Sequence, residues 1–196
     1  MPTTETTLLQ VAQLGHPILR KKTKEVTNIS STEVQSLIDD MIATVMDVDG
    51  VGIAAPQVYK SIRLFIIASH PNARYPHAPL MEPTAIINPK IIKTSEEILK
   101  DWEGCLSIPG IRGFVPRYQS IDVEYTTREG RQVKQAFTDF VARIFQHEFD
   151  HIEGIMFIDR IESSKDLISE KEYQKLMNKK KPPKKILHLK RLSNHL

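Results

Sequence analysis

His147-Glu148-Phe149-Asp150-His151 constrains the chain more tightly than any other stretch. Residues i and i+4 of a helix lie one turn apart on the same face, so a helix lets His147 and His151 converge on one ion. Glu148 sits beside them without needing to be a ligand, close enough to exchange a proton with water activated there. Phe140, Val141, Ile144 and Phe145 turn the histidine-bearing face partly inward. The spacing therefore predicts a helix over residues 138–152, stopped at Gly154, that carries metal ligands toward the interior. By composition such a five-residue pattern arises by chance in roughly one chain in a few hundred, so the reading depends on a third ligand elsewhere.

Three places compete to supply it. Extension of the pattern to x-x-Gly-x-x-His is followed as far as Gly154, and then Phe157 stands where a histidine is required. Glu170 or Glu172 would serve in the arrangement with a downstream glutamate, but both lie in Ser-Glu-Lys-Glu-Tyr, which reads as a solvated charged helix. Upstream, Glu103-Gly104-Cys105-Leu106-Ser107 occupies a turn-rich segment and holds the only cysteine. A lone cysteine is usually a small buried apolar residue. As a thiolate stabilised by a divalent ion, it would instead complete a Cys-His-His set with one position open to water. A further segment, GVGIAAPQ at residues 50–57, has two glycines that let a ligand backbone approach closely and, in Gln57, an uncharged amide donor suited to an oxyanion. No strand precedes it and the third glycine is missing, so it is not a dinucleotide fingerprint.

The rest of the chain reads as one domain. Ser30-x-x-Glu33 has the form of a capping box. Val34, Leu37, Ile38, Met41, Ile42 and Val45 then recur at spacings of three and four, predicting a first helix that ends at Asp49-Gly50. Residues 63–68 read as a buried strand and 85–92 as an extended stretch broken at Asn88-Pro89. Between them Pro71, Pro76, Pro79 and Pro83 mark a loop over residues 70–83. Residues 121–127 and 132–137 flank Arg128-Glu129-Gly130 as a hairpin, and a third helix is expected from Ser163 or Ser164 to about Lys179, before Pro182-Pro183. Strands in the middle with helices on either side give an α+β class.

Charge divides the chain. Eight of the 27 basic residues lie in residues 175–196, which hold no Asp or Glu, leaving 19 against 24 acidic residues before them. The body is thus mildly acidic, and an electrostatic case for nucleic-acid binding belongs to the tail alone. One cysteine excludes an intramolecular disulfide framework, no apolar run approaches the ~20 residues of a membrane span, and the N-terminus lacks the basic-then-apolar order of a secretion signal. The expectation is a cytoplasmic protein.

Taken together, GVGIAAPQ at residues 50–57, EGCLS at 103–107 and QHEFDHIEG at 146–154 resemble the three motifs of the peptide deformylase family, in order and at similar spacing, within a match running from about Leu14 to Arg160. Ile152 stands where leucine is usual. The resemblance implies hydrolysis of the formyl group from N-formylmethionine at the start of new polypeptides, with release of formate. By motif position it implies that Cys105, His147 and His151 bind the metal and that Glu148 acts as general base and then general acid. Gln57 and the backbone N–H of Leu106 would stabilise the oxyanion. The family's metal is typically Fe²⁺, with Zn²⁺, Ni²⁺ or Co²⁺ as substitutes, and a thiolate with two imidazoles suits several of these. Mainly antiparallel strands are then expected around a central metal-binding helix, with an N-terminal helix and a C-terminal helix plus basic tail. The catalytic domain would span residues 1–174 and the extension 175–196.

Val51, Leu106 and Ile144 lie in the three motifs, with Ile144 on the helix face of His147, and are expected to border an apolar pocket for methionine. The nascent peptide would dock as an added strand near Gly52. For the tail, charge and the family's use of a C-terminal helix for ribosome contact point to ribosomal RNA, although the tail lacks the aromatic residues of a base-stacking surface. Two other readings remain: a metalloprotease using Glu170 as third ligand, and a nucleic-acid-binding protein whose helix merely carries histidines. His16, His70, His77, His188 and His195 are not taken as ligands.

Overall fold

Leu64-Phe65-Ile66-Ile67 is buried at every position, which a strand achieves only when both faces are covered. Residues 6–180 are described in a computed structural model of the chain, and there this strand lies inside a five-stranded antiparallel sheet. Its members are β1 (Gly52–Ala54), β2 (Leu64–Ile67), β3 (Thr84–Thr94), β6 (Ser120–Thr126) and β7 (Gln132–Thr138), in the order β1-β2-β3-β6-β7. Alternation sorts the side chains. Ile53, Leu64, Ile66, Ala85 and Ile87 pack with Leu37, Ile38, Met41 and Val45 of helix α1 (Thr32–Asp47). Their neighbours Ala54, Phe65, Ile67 and Ile86 point the other way, onto Ala142, Phe145 and Ile152 of helix α2 (Asp139–Ile152).

A second antiparallel sheet closes over the opposite side of α2: β4 (Ile98–Cys105), β5 (Ile108–Tyr118) and β8 (Leu167–Ser169), in the order β4-β5-β8. Arg143 of α2 reaches this sheet, donating to the carbonyls of Val115 and Leu99. Helix α2 thus contacts both sheets. Helix α3 (Glu170–Lys180) leaves directly from β8. Among the described residues no helix is long and apolar enough to cross a membrane.

Several local expectations need correction. Ser31, one residue later than expected, caps α1, its hydroxyl accepting from Val34 N–H at 3.3 Å, while Ser30 bonds Asn28 instead. The break at Asn88-Pro89 does not end a strand: Asn88 takes φ 49°, the register with β6 shifts, and its side-chain amide clasps both backbone groups of Val26. Within the segment read as turn-rich, residues 103–110, only Leu106 and Ser107 form the turn; the rest belongs to the hairpin strands β4 and β5. The third helix begins at Glu170, because residues 164–169 form a short 3-10 turn and the edge strand β8. The boundary between residues 174 and 175, expected within the C-terminal helix, lies within α3, and tail residues 181–196, with His188 and His195, lie outside the described residues.

The end of α2 follows the expectation closely. Gly154 takes φ 77° and the N–H groups of Gly154 and Ile155 return to the carbonyls of His151 and Asp150, a Schellman closure. Thr23 donates to the Ile152 carbonyl through both its N–H and its hydroxyl, each at 2.9 Å. A Cβ at Gly154 would lie 2.8 Å from the backbone carbon of Arg20. Gly154→Ala therefore combines an unfavourable φ with a backbone clash and should destabilise the fold by about 1–3 kcal/mol. Urea unfolding checks this, and an unchanged midpoint would contradict it.

Candidate active site and metal centre

His147 and His151 lie one turn apart on α2, and Cys105 ends β4 on the facing sheet. One ligand atom from each of the three falls within 4.8 Å of the others, the one such grouping found among the described residues. Cys105 Sγ is 3.3 Å from His151 Nε2. His147 Nδ1 is 2.9 Å from Glu103 Oε2. An ionised carboxylate only accepts, so Nδ1 carries the proton and the other ring nitrogen is left for an ion. Burial pushes His151 well below the usual imidazole range, favouring the neutral form a ligand needs. A sulfur and two imidazole nitrogens converging in this way fit a divalent transition metal.

The site rests on buried charge. Burial alone would raise the Glu103 carboxyl, but the Arg117 guanidinium and hydrogen bonds from His147 and Arg117 hold it well below the usual carboxylate range. Glu103 accepts from Arg117 Nε and Nη2 at 2.9 and 3.0 Å and from Arg143 Nη1 at 2.8 Å. Arg117 also donates to Asp150 at 2.6 Å, and Arg160 ties the same carboxylate from outside. Asp150 and Arg143 are on the helix that carries the histidines, while Glu103 is on β4 and Arg117 on β5, four residues apart in the hairpin register. The network thus locks the cysteine-bearing sheet to the histidine-bearing helix, and losing one partner of such a buried set costs about 3–5 kcal/mol.

Gln57 comes from the 3-10 turn after β1. Its carbonyl oxygen accepts from Ala54 N–H at 2.8 Å, which turns its amide toward Ser107 Oγ and Cys105 Sγ, 3.2 and 3.5 Å away. The N-terminal segment holds the two motifs together, Ala12 N–H donating to Gln57 O and Leu14 N–H to Ser107 O. Glu148 is only 4% exposed, and its Oε2 has no hydrogen-bond partner. Burial, with a further push from the Glu103 charge, raises its carboxyl to about 7. Gly52 leaves the space it needs: a Cβ there would lie 2.6 Å from Glu148 Oε1.

Cys105, His147 and Glu148 open onto a cleft of about 510 Å³, with Val51, Gly52, Gln57, Leu106 and Ile144 also on its walls. All the expected site residues except His151 line this one cleft. Glu170 is bound to Arg112 at 2.6 Å and stands outside the ligand group, which removes it as the third ligand of a protease. His16 caps the 3-10 turn at Pro17–Arg20, and His70 bonds Asp49 and the Ala68 carbonyl. Neither joins a ligand group. The sequence reading did not pick out Arg143 or Arg117. Arg143 had a signal: it precedes His147 by four residues, on the same helix face.

A family model for polypeptide deformylase matches residues 8–167. Peptide deformylase 2 of Nostoc sp. (strain PCC 7120) is 63% identical over 172 residues, covering 88% of this chain and 96% of that protein. Peptide deformylase 2 of Shewanella oneidensis is 46% identical over 152 residues, covering 78% of this chain and 83% of its own length. Among solved structures, the Met-Ala-Ser-bound class I type b peptide deformylase of Acinetobacter baumannii superposes with a TM-score of 0.78 at 45% identity, over 80% of this chain and all of that one. A Cys-His-His group, a buried carboxylate beside it and this degree of likeness lead to one conclusion: the chain belongs to the polypeptide deformylases, metal-dependent hydrolases that remove the N-formyl group from nascent peptides.

Proposed function

We propose that Cys105, His147 and His151 hold a single divalent metal, Fe²⁺ in the cell with Zn²⁺, Ni²⁺ or Co²⁺ as substitutes, and that the cleft deformylates N-formylmethionyl peptides in the cytoplasm. The observation that carries this reading is a buried, unpartnered Glu148 oxygen beside a convergent thiol and two imidazoles on the floor of a cleft. When bound, the metal supplies Lewis acidity toward water and toward the formyl oxygen. Glu148 takes a proton from the attacking water and delivers it to the departing nitrogen, which then leaves as an amine rather than an anion. Gln57, its amide aimed by Ala54 N–H, and the Leu106 N–H at the β4–β5 turn donate to the oxygen on which charge grows. One such donor is worth roughly 2.7–4 kcal/mol in the transition state.

Val51, Leu106 and Ile144 form the apolar surround for the methionine side chain, and the peptide backbone runs past Gly52. The Met-Ala-Ser-bound structure of the Acinetobacter baumannii relative supports a peptide that begins with methionine as the occupant. Residues 1–174 act as the catalytic domain. Residues 175–196, with eight Lys and Arg and no acid, contact ribosomal RNA where formylated chains emerge.

Protein purified without oxygen is expected to carry one equivalent of iron and to release formate from formyl-Met peptides. The activity should fall in air, because Fe²⁺ beside a thiolate invites oxidation, and persist after exchange to Ni²⁺. Cleavage of internal peptide bonds without formate would overturn the reading.

A further inference from the structure

The cleft runs well past the groups that handle the formyl carbon. Its far wall includes Tyr75 from the loop at residues 70–83, Arg112 from β5, and Glu170 and Gln174 from α3. These segments meet on one guanidinium. The Arg112 side chain is 2% exposed. It donates from Nε to Glu170 Oε2 at 2.6 Å, from Nη2 to Glu170 Oε1 at 3.3 Å, and from Nη1 to Tyr75 Oη at 3.2 Å. The same group lies 4.3 Å from the centroid of the Tyr173 ring and 5.5 Å from that of Tyr75. Tyr75 in turn packs on Phe140 at the start of α2, with ring centroids 5.0 Å apart. Beyond it, Arg74 donates to the carbonyls of Val48 and Asp49 at the end of α1. The loop is thereby fastened on both sides, and α3 is fastened to the cleft through its first turn.

A guanidinium suits this task because its planar fork engages a carboxylate with two donors and still presents its face to an aromatic ring. Arg112 makes no hydrogen bond to Cys105, His147, His151 or Glu148 among the described residues; its nearest tie to them is Gly104, the residue before Cys105, which it pairs with across the hairpin. It lines the same cleft as Cys105, His147 and Glu148.

We propose that the Tyr75–Arg112–Glu170–Tyr173 cluster is a positioning device for the residues that follow formylmethionine, so that α3 takes part in substrate selection. The inference rests on the deformylase reading. It predicts an effect that depends on peptide length, which a purely structural role does not produce: a loosened wall weakens binding of a peptide that reaches it and leaves a shorter substrate alone.

Glu170→Gln, which keeps the shape and removes the charge, and Tyr75→Phe, which removes only the hydroxyl, are compared with wild type on formyl-Met-amide and formyl-Met-Ala-Ser. For Glu170→Gln, KM for the tripeptide should rise about 3–10-fold with kcat within about twofold, the pattern of lost uniform binding, while both constants for formyl-Met-amide stay at wild-type values. Tyr75→Phe should shift the tripeptide KM in the same direction by less. Metal content and melting temperature of each variant exclude loss of the centre or of the fold. Parallel changes on both substrates, or no change on either, would overturn the proposal. Absence of formate from the wild-type protein would instead overturn the deformylase reading itself.

Discussion

Cys105→Ala should purify with almost no metal and release formate at least about a thousandfold more slowly than wild type. Lewis-acid assistance is worth several kcal/mol, and each ~1.4 kcal/mol is a decade in rate. The loss should exceed the ~10–100-fold that removal of an outer partner costs in metal affinity, because a ligand is removed outright. No neighbouring side chain can take its place. Glu170 is committed to Arg112, Glu103 to Arg117, Arg143 and His147, and Asp150 to Arg117 and Arg160. Cys105 is small and half-buried at the end of a strand, so alanine leaves the hairpin and α2 in place, and the variant should unfold cooperatively. Metal content measured on the purified variant is the deciding quantity. A variant that kept a full equivalent would mean that the thiolate is not a ligand.

What the sequence revealed of this centre, and what it hid, divides along the range of the interactions. His147, Glu148 and His151 are legible because a helix brings i and i+4 together by itself, and Gly154 is legible because a helix end needs a residue at positive φ. The apolar run of β2 is legible as a buried strand, although only the finished fold shows that alternate residues serve two different helices. Ser31 rather than Ser30 as cap is a one-residue ambiguity that local chemistry does not resolve when two serines are adjacent. Strands β4 and β5 were hidden for a different reason. In β4 only Glu103 is fully buried, so no apolar alternation marks it. The hairpin is held instead by its own ladder and by Arg143 reaching across from α2. Arg112 and Glu170, separated by 58 residues, were equally out of reach: Glu170 reads as part of a solvated helix until β8 turns that helix back onto β5. Burial of an acid is intelligible only with its cations, and those came from other elements.

Glu148→Gln should retain the full complement of metal and lose about 10²–10⁴-fold in kcat, the range for a positioned proton carrier. The two measurements together separate this residue from the ligands, whose loss removes metal and rate at once. Glutamine has the same shape, so it occupies the space that Gly52 leaves beside β1, and His147 and His151 on either side keep their partners. What changes is the ability to accept a proton. The wild-type carboxylate is nearly enclosed and lacks a partner for one oxygen, an arrangement that costs stability. A neutral amide is less costly to bury than a carboxylate, so the variant should melt no lower than wild type even as turnover collapses. Such a combination marks a residue kept for chemistry at the expense of the fold. Turnover within about tenfold of wild type, with metal still bound, would fall below the contribution of a positioned base and would mean that the attacking water gives up its proton elsewhere.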